Sequence, residues 1–295
     1  MPVYDRRYRG VTGERRPARS AVATLARYGL AEIFGSRLLL VMFVACCLPF
    51  VVFATVIYVA HNLEVLALLD VRSAAPLQEN LQGTLFFYFL VVQSNLAFVL
   101  SSFAGPSLVG PDLVHGAMPL YLSRPLGRGE YVLGKLAILI TLLSAITWVP
   151  GLLLIGLQAA LAGGDWLVVH WRLPFAIFVG SWVWILLLSL LSLAISAWIR
   201  WRPLATGALF GIVVLGGAFG SAIVETLDSR WGKLFVPLEL LKTIWLDLFG
   251  PLQMFASMDR TRDVPVGAAW LGLAGLAVAA LALLHRKIRA YEVVR

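Results

Sequence analysis

Residues 173–199 read LPFAIFVGSWVWILLLSLLSLAISAWI, a run of 27 residues that contains no Asp, Glu, Lys or Arg. A helix rises about 1.5 Å per residue, so roughly 20 residues cross the hydrocarbon core of a bilayer. A single charge at the centre of such a run would oppose membrane insertion by about 2.5–3.5 kcal/mol. We therefore predict that this run forms a transmembrane helix.

Five further runs of the chain are equally free of these charged residues. Together with the first run they predict six transmembrane helices, over residues of about 38–60, 84–104, 136–161, 174–199, 204–224 and 266–284. The composition agrees, because 60% of the 295 residues are hydrophobic and 14% are charged, whereas soluble domains carry about 25% charged residues. The sequence predicts an all-α integral membrane protein, with one transmembrane domain over residues 20–295 that follows a loose basic segment at 1–19.

The distribution of positive charge predicts how the helices are oriented. If the N-terminus lies inside, the inside segments hold 17 Lys and Arg residues and the outside segments hold 7. Lys and Arg accumulate on the cytoplasmic side of membrane proteins. We therefore expect both termini in the cytoplasm.

Two further segments are predicted to be helical without crossing the membrane. Residues 20–35 are weakly amphipathic and basic, and we expect them to lie along the inner membrane surface. In residues 238–249 the polar residues share one helical face and the apolar residues fill the other. We expect this second helix on the outer side, between spans 5 and 6, because its charges disfavour a seventh span. Whether residues 234–249 lie on the membrane or re-enter it stays open.

The longest inside loop, between spans 2 and 3, carries the clearest functional signal. Residues 105–135 read GPSLVGPDLVHGAMPLYLSRPLGRGEYVLGK, which is too short for a domain and too apolar for a flexible linker. Its prolines and glycines divide it into short pieces, while its leucines and valines provide surface that can be buried. This composition predicts a compact element that is presented to another molecule in the cytoplasm.

A motif runs through this loop in a fixed order. The acidic Asp112 is followed by a Gly, then by Ser123-Arg124-Pro125, and then by Glu-Tyr and Gly-Lys before the third span. In this order the loop resembles the signature of type-2 ABC exporter permeases, and it looks most like the branch associated with multicopper-enzyme maturation. The six spans and the two amphipathic helices fit the same family, so the resemblance covers nearly the whole chain.

The resemblance implies a mechanism and a set of partners. A cytoplasmic coupling helix near residues 112–122 would dock on a separate ABC ATPase, which binds ATP and Mg²⁺, while this chain binds no cofactor and is not an enzyme. Two copies of the permease, as a homodimer, would pair with two ATPase copies in the bacterial cytoplasmic (inner) membrane, among lipids and without nucleic acid. The residues expected at the ATPase contact are Asp112, Leu113, His115, Gly116, Leu120, Ser123, Arg124 and Pro125.

Three charged residues near the end of the loop are expected to anchor it to lipid, namely Arg128, Glu130 and Lys135. For the arginine, the simpler alternative is that it only follows the charge rule for inside loops. The run 129–135 also matches the GxxxxGK pattern of a phosphate-binding loop. That interpretation is rejected because Leu136 stands where such a loop needs Ser or Thr, and no strand precedes it.

Polar residues inside the spans are candidates for a translocation path, namely Gln93, Asn95, Ser189 and Ser192. No span carries a central charge, which argues against an ion-coupled carrier and fits a lipid-like, amphiphilic or peptide substrate. For the glutamine and the asparagine, hydrogen bonding between helices is the alternative.

Four glycines in the fifth span form two GxxxG pairs, Gly207 with Gly211 and Gly216 with Gly220. Small residues at this spacing let helix backbones approach closely. Because the resembling family dimerises through its first and fifth spans, these glycines are candidates for the dimer seam. Packing within one protomer is the alternative.

Other chemistries find little support in the sequence. Cys46 and Cys47 are adjacent inside a span, and the four histidines lie in different segments, so we predict no metal site. No catalytic motif is present. A membrane scaffold or assembly factor without a transport cycle, and an intramembrane enzyme, remain as rival functions. The substrate, and pairing with a different permease, stay open.

Overall fold

The structure is a computed structural model that describes residues 18–62, 83–116, 127–199, 201–227, 229–250 and 264–289. Every regular element in these ranges is helical. The α-helices are α1 (Ala18–Gly35), α2 (Arg37–His61), α3 (Thr84–Ala104), α4 (Gly110–Val114), α5 (Arg128–Ile146), α6 (Trp148–Ala162), α7 (Gly164–Val169), α8 (Arg172–Trp198), α9 (Arg202–Leu227), α10 (Pro237–Phe249) and α11 (Val266–Arg289). Two 3-10 turns cover Gly105–Ser107 and Arg230–Phe235.

Six stretches are long and apolar enough to cross a membrane, so the prediction of an all-α protein with six spans is confirmed at that level. Spans 1 to 6 lie within the stretches Arg37–His61, Thr84–Val114, Gly129–Ala162, Arg172–Trp198, Arg202–Leu227 and Val266–Lys287, of which the second and third include the ends of the loop 105–135. The third helix begins earlier than the predicted residue 136, because the charged residues before that position find partners within the protein. With six crossings, α1 and the end of α11 would share one side of the membrane, called here the terminal side.

Span 4 lies at the centre of the bundle. Its helix α8 packs against spans 2, 3, 5 and 6 and against α10. The most apolar windows of spans 3 and 4 are each 61% buried, whereas those of spans 1, 5 and 6 are 11%, 11% and 17% buried. Spans 1, 5 and 6 therefore turn most of their surface away from the protomer, where lipid or a second copy can cover it.

Hydrogen bonds from tryptophan side chains to backbone carbonyls connect the central helices. The buried Trp184 Nε1 donates to the carbonyl of Ser94 at 2.9 Å, which connects spans 4 and 2. Trp245 Nε1 donates to the carbonyl of Gly180 at 3.1 Å, which connects α10 to span 4. These bonds give buried indole groups their required partners and fix the lateral order of the helices.

Span 3 is broken at Thr147, whose backbone angles (φ −105°, ψ −93°) leave the helical region. Pro150 follows at the start of α6, and proline has no N–H to donate to the residue four positions earlier. The Thr147 hydroxyl donates to the Leu143 carbonyl at 2.7 Å, and the Thr147 N–H donates to the same carbonyl at 3.1 Å. Span 3 therefore consists of two helices, α5 and α6, that meet at a kink.

The N-terminal helix α1 packs on α5. A Cβ atom at Gly134 of α5 would approach Leu25 Cδ2 of α1 to 2.6 Å. In the same way, a Cβ atom at Gly29 of α1 would clash with the side chain of Ile138. The two glycines let the helices interlock, so α1 is held against the first half of span 3.

The segment after span 5 folds back into the bundle. The 3-10 turn Arg230–Phe235 runs along α9, and a Cβ atom at Gly216 would lie 2.8 Å from the Phe235 carbonyl oxygen. Gly216 lies 11 residues before Leu227, the end of α9, which corresponds to about 16 Å along the helix. Helix α10 then packs its apolar face against span 4 and span 6. Helix α10 therefore belongs to the packed bundle of this chain.

Candidate functional site

The loop between spans 2 and 3 begins as a compact turn that is fixed to span 4. The Ser196 hydroxyl accepts a hydrogen bond from the Gly110 N–H at 2.9 Å and donates to the Pro106 carbonyl at 3.3 Å. A Cβ atom at Gly105 would lie 2.5 Å from Ser192 Cβ, so only glycine permits this close approach. The predicted path residue Ser192 therefore supports the base of the loop.

The carboxylate of Asp112, in the short helix α4, is held by the beginning of span 3. Its Oδ2 accepts a hydrogen bond from the Tyr131 hydroxyl at 2.7 Å and an ion pair from Lys135 Nζ at 2.8 Å. The side chains of Lys135 and Asp112 are 7% and 16% exposed, and Tyr131 is buried. Lys135 Nζ also lies 5.6 Å from the centroid of the Tyr131 ring. We call these three residues the Asp112 cluster.

The structure shows where the first residues of the predicted coupling segment lie. Asp112 pairs with span 3 and its side chain is 16% exposed, and Leu113 is buried. The exposed residues are Val114, His115 and Gly116, at the end of α4. Gly116 has a φ of +65°, which a glycine adopts without strain and which ends the helix.

The other residues predicted to contact the ATPase are not among those that the structure describes. Leu120, Ser123, Arg124 and Pro125 lie outside the described residues. Val114 was not among the residues predicted for the contact, because nothing in the sequence of this loop distinguishes it from its other apolar residues. Its side chain is 53% exposed.

Two of the three predicted lipid anchors have partners inside the protein. Glu130 Oε2 accepts a hydrogen bond from the Gly127 N–H at 2.8 Å and so caps the start of α5. Lys135 belongs to the Asp112 cluster. Arg128 is the first residue of α5, and its side chain lies outside what the structure describes. Because residues 129–135 are helical, the GxxxxGK pattern forms no phosphate-binding loop.

The predicted path residues do not meet on one surface. Gln93 is buried, and its Nε2 donates to the carbonyl of Cys46 in span 1 at 2.7 Å. This contact is the hydrogen bond between helices that the sequence allowed as the alternative to a role in a translocation path. Ser189 is buried, whereas Asn95 is exposed and donates to the Val91 carbonyl of its own helix at 2.8 Å. Asn95 alone among the four predicted residues faces outward from the protomer.

The two glycine pairs of span 5 are used differently. Gly216 and Gly220 are covered by the returning segment Arg230–Phe235 of the same chain. They therefore pack within the protomer, which was the alternative to a place in the dimer seam. A Cβ atom at Gly207 or Gly211 would meet nothing within 4 Å. Only the first pair remains open to another molecule.

Among the residues that the structure describes, no group of three His, Cys, Asp or Glu side chains could hold a metal ion. A scan against models of protein families finds no match to this chain, and a search of curated proteins finds none either.

Proposed function

We propose that this chain is the membrane permease subunit of an ATP-driven exporter of the ABC-2 type. Its partner would be a separate ATPase, present in two copies, that binds ATP and Mg²⁺ and docks on the loop 105–135. The protein would act as a homodimer in the bacterial inner membrane, with both termini in the cytoplasm. The rival function is a membrane scaffold that has no transport cycle.

The observation that carries this proposal is the Asp112 cluster. Through Asp112 the loop is connected to span 3, and through Ser196 it is connected to span 4. A force applied to the exposed end of α4 would therefore reach two spans through short, buried polar contacts. A loop that couples ATP binding to movement of the membrane helices needs such a connection.

The kink of span 3 supports the same mechanism. Helices α1, α4 and α5 form one packed unit on the terminal side, because α1 interlocks with α5 and Asp112 joins α4 to it. The break at Thr147 separates this unit from α6. Movement of the unit would bend span 3 at the kink while α6 keeps its packing.

The experiment is purification of the tagged chain from its native host in mild detergent, followed by an ATPase assay of the complex. We expect a co-purifying ATPase, and we expect Val114→Asp to reduce its recovery because a charge would replace an exposed apolar contact. Val169→Asp is the matched control, since Val169 is 73% exposed at the opposite end of the bundle.

Two outcomes of this experiment would contradict the proposal. Recovery of the wild-type chain without any ATPase would make the scaffold the better function. An equal loss of ATPase in the Val114 and Val169 variants would show that α4 is not the docking surface.

A further inference from the structure

A lysine ammonium lies on a tryptophan ring where spans 4 and 6 end on the terminal side. Lys287, in the last turn of α11, places its Nζ 4.9 Å from the centroid of the ring of Trp198, the last residue of α8. The ring is held in place, because Trp198 Nε1 donates to the Leu283 carbonyl of span 6 at 3.2 Å. A lysine near the end of a span commonly extends its ammonium into water. Lys287 is partly buried, and its ammonium instead stays on the face of a fixed indole.

The terminal-side ends of spans 4, 5 and 6 carry positive charge without a counter-charge. Residues 173–224 and 264–291 contain no Asp or Glu. Among the residues that the structure describes, neither Lys287 nor the exposed Arg202 forms an ion pair. Arg202 lies four residues after Trp198, so the two Cα atoms are at most about 14 Å apart. A negatively charged ligand would therefore meet two unpaired cations at this place.

The loop between spans 2 and 3 does not supply the missing negative charge. That loop bonds to α8 through Ser196, whereas Trp198 lies about 200° further around the same helix. The carboxylate of Asp112 is already paired with Lys135 at 2.8 Å. The ammonium on Trp198, an indole that is 47% exposed, therefore lies on a different face of the bundle from the Asp112 cluster.

An open apolar strip runs along span 6 from Lys287 toward the membrane centre. At four-residue steps before the lysine, Leu283, Ala279 and Gly275 are all exposed, and such positions form an inclined row on a helix surface. A Cβ atom at Gly275 would meet nothing within 4 Å, so no side chain of the protomer covers this end of the strip. The strip is about 18 Å long, since 12 residues separate Gly275 from Lys287. An acyl chain can lie along it while the headgroup stays beside the lysine.

We propose that this place binds an anionic phospholipid of the phosphatidylglycerol class, from the leaflet on the terminal side. Its phosphate accepts a charge-assisted hydrogen bond from Lys287, which the Trp198 ring holds in position, and Arg202 adds a second positive charge. A zwitterionic lipid binds less well, because its own cation offsets the charge of its phosphate. The site is independent of any ATPase, because none of its residues belongs to the loop 105–135.

The test uses the full chain in nanodiscs that contain equal amounts of phosphatidylglycerol and phosphatidylcholine with identical acyl chains. Native mass spectrometry measures the ratio of the two lipids retained by the protein. We expect the wild type to retain phosphatidylglycerol over phosphatidylcholine by about tenfold, the ratio that corresponds to ~1.4 kcal/mol. Lys287→Met keeps the apolar stem of the side chain without its charge, and it should lower this ratio by about fivefold.

Two tryptophan variants separate a held ammonium from general attraction by positive charge. Trp198→Leu keeps every charge of the protein but removes the ring under Lys287, and it should lower the ratio by about threefold. Trp201→Leu is the matched control, since Trp201 is 67% exposed at the same end of the bundle. In the part of the chain that the structure describes, no cation lies over the Trp201 ring, so this variant should leave the ratio unchanged.

Arg27→Met controls for the loss of one positive charge on the terminal side. Arg27 also lies over an aromatic ring, 5.7 Å from the centroid of Tyr28, but it belongs to α1, which packs on α5 and span 1. Salt screens charges this far from the site, so the ratio should change by less than about twofold.

Three results would overturn the proposal. The first is equal retention of both lipids by the wild type. The second is an equal fall of the ratio in Lys287→Met and Arg27→Met, which would show attraction by net charge alone. The third is a ratio that Trp198→Leu leaves unchanged or lowers no more than Trp201→Leu does.

Discussion

The substitution Lys135→Met tests whether the Asp112 cluster holds the loop to span 3. Methionine keeps the length and the apolar stem of the lysine but removes the ammonium that lies 2.8 Å from Asp112 Oδ2. The carboxylate would then keep the hydrogen bond from Tyr131 and lose its positive partner. Because both side chains of the pair are at most 16% exposed, water can replace the ammonium only in part.

The magnitude follows from this burial. Removing one partner of a fully buried ion pair costs about 3–5 kcal/mol. Asp112 keeps some exposure and one hydrogen bond, so we expect Lys135→Met to lower the free energy of unfolding by about 2–3 kcal/mol. The double variant Asp112→Asn/Lys135→Met should cost less than the sum of the two single variants, by about 1–3 kcal/mol.

The assay is unfolding of the purified chain in mixed detergent micelles, and Lys242→Met is its matched control. Lys242 pairs with Glu239 at 4.0 Å, with both side chains more than a third exposed, so this control should cost under about 1 kcal/mol. The reasoning is refuted if Lys135→Met costs no more than the control, or if the double-variant cycle shows no coupling between Asp112 and Lys135.

The remaining predictions concern the packing of spans 4 and 5. Gly216→Leu should lower the free energy of unfolding by about 1–3 kcal/mol, because its side chain would meet the Phe235 carbonyl, whereas Gly211→Leu should change it by less than about 0.5 kcal/mol. If Gly207 and Gly211 form the dimer seam, crosslinking should show a weaker dimer for Gly211→Leu. An unchanged dimer would place the seam elsewhere. Trp245→Ala should cost about 3–5 kcal/mol in the same unfolding assay, because the buried indole packs at Gly180 and bonds its carbonyl. Trp231→Ala, at a position 48% exposed, should cost far less, and equal costs would contradict the buried role of Trp245.

The Asp112 cluster also changes how the loop should be tested for partner binding. Reversing the charge with Asp112→Lys would place two ammonium groups together in a partly buried position. Such a variant would disturb the loop itself, so a lost partner would not identify Asp112 as a contact. Val114→Asp avoids this problem, since its side chain points away from the bundle.

Much of the fold could be predicted from local sequence. Uncharged runs longer than about 20 residues indicate spans wherever they occur, since a bilayer penalises charge at any position in its core. The helical periodicity of residues 238–249 likewise predicted the amphipathic α10 and its apolar, buried face. These features depend only on each segment and its solvent.

The partners of individual side chains depended on tertiary structure. Asp112 and Lys135 are both charged residues of the loop 105–135, and the sequence alone allowed each of them to contact an ATPase or lipid. The two glycine pairs of span 5 have identical spacing, and only the path of the chain after Leu227 covers Gly216 and Gly220.

The sequence by itself determined the all-α fold, the six helices that are long and apolar enough to cross a membrane, and the position of the loop between spans 2 and 3, because hydropathy and charge act along each segment separately. The tertiary structure decided which polar groups are satisfied within the protomer and which surfaces stay open. The physical reason is that an ion pair or a close glycine contact requires two segments to meet within a few ångströms. No periodicity within one segment specifies which other segment it will meet.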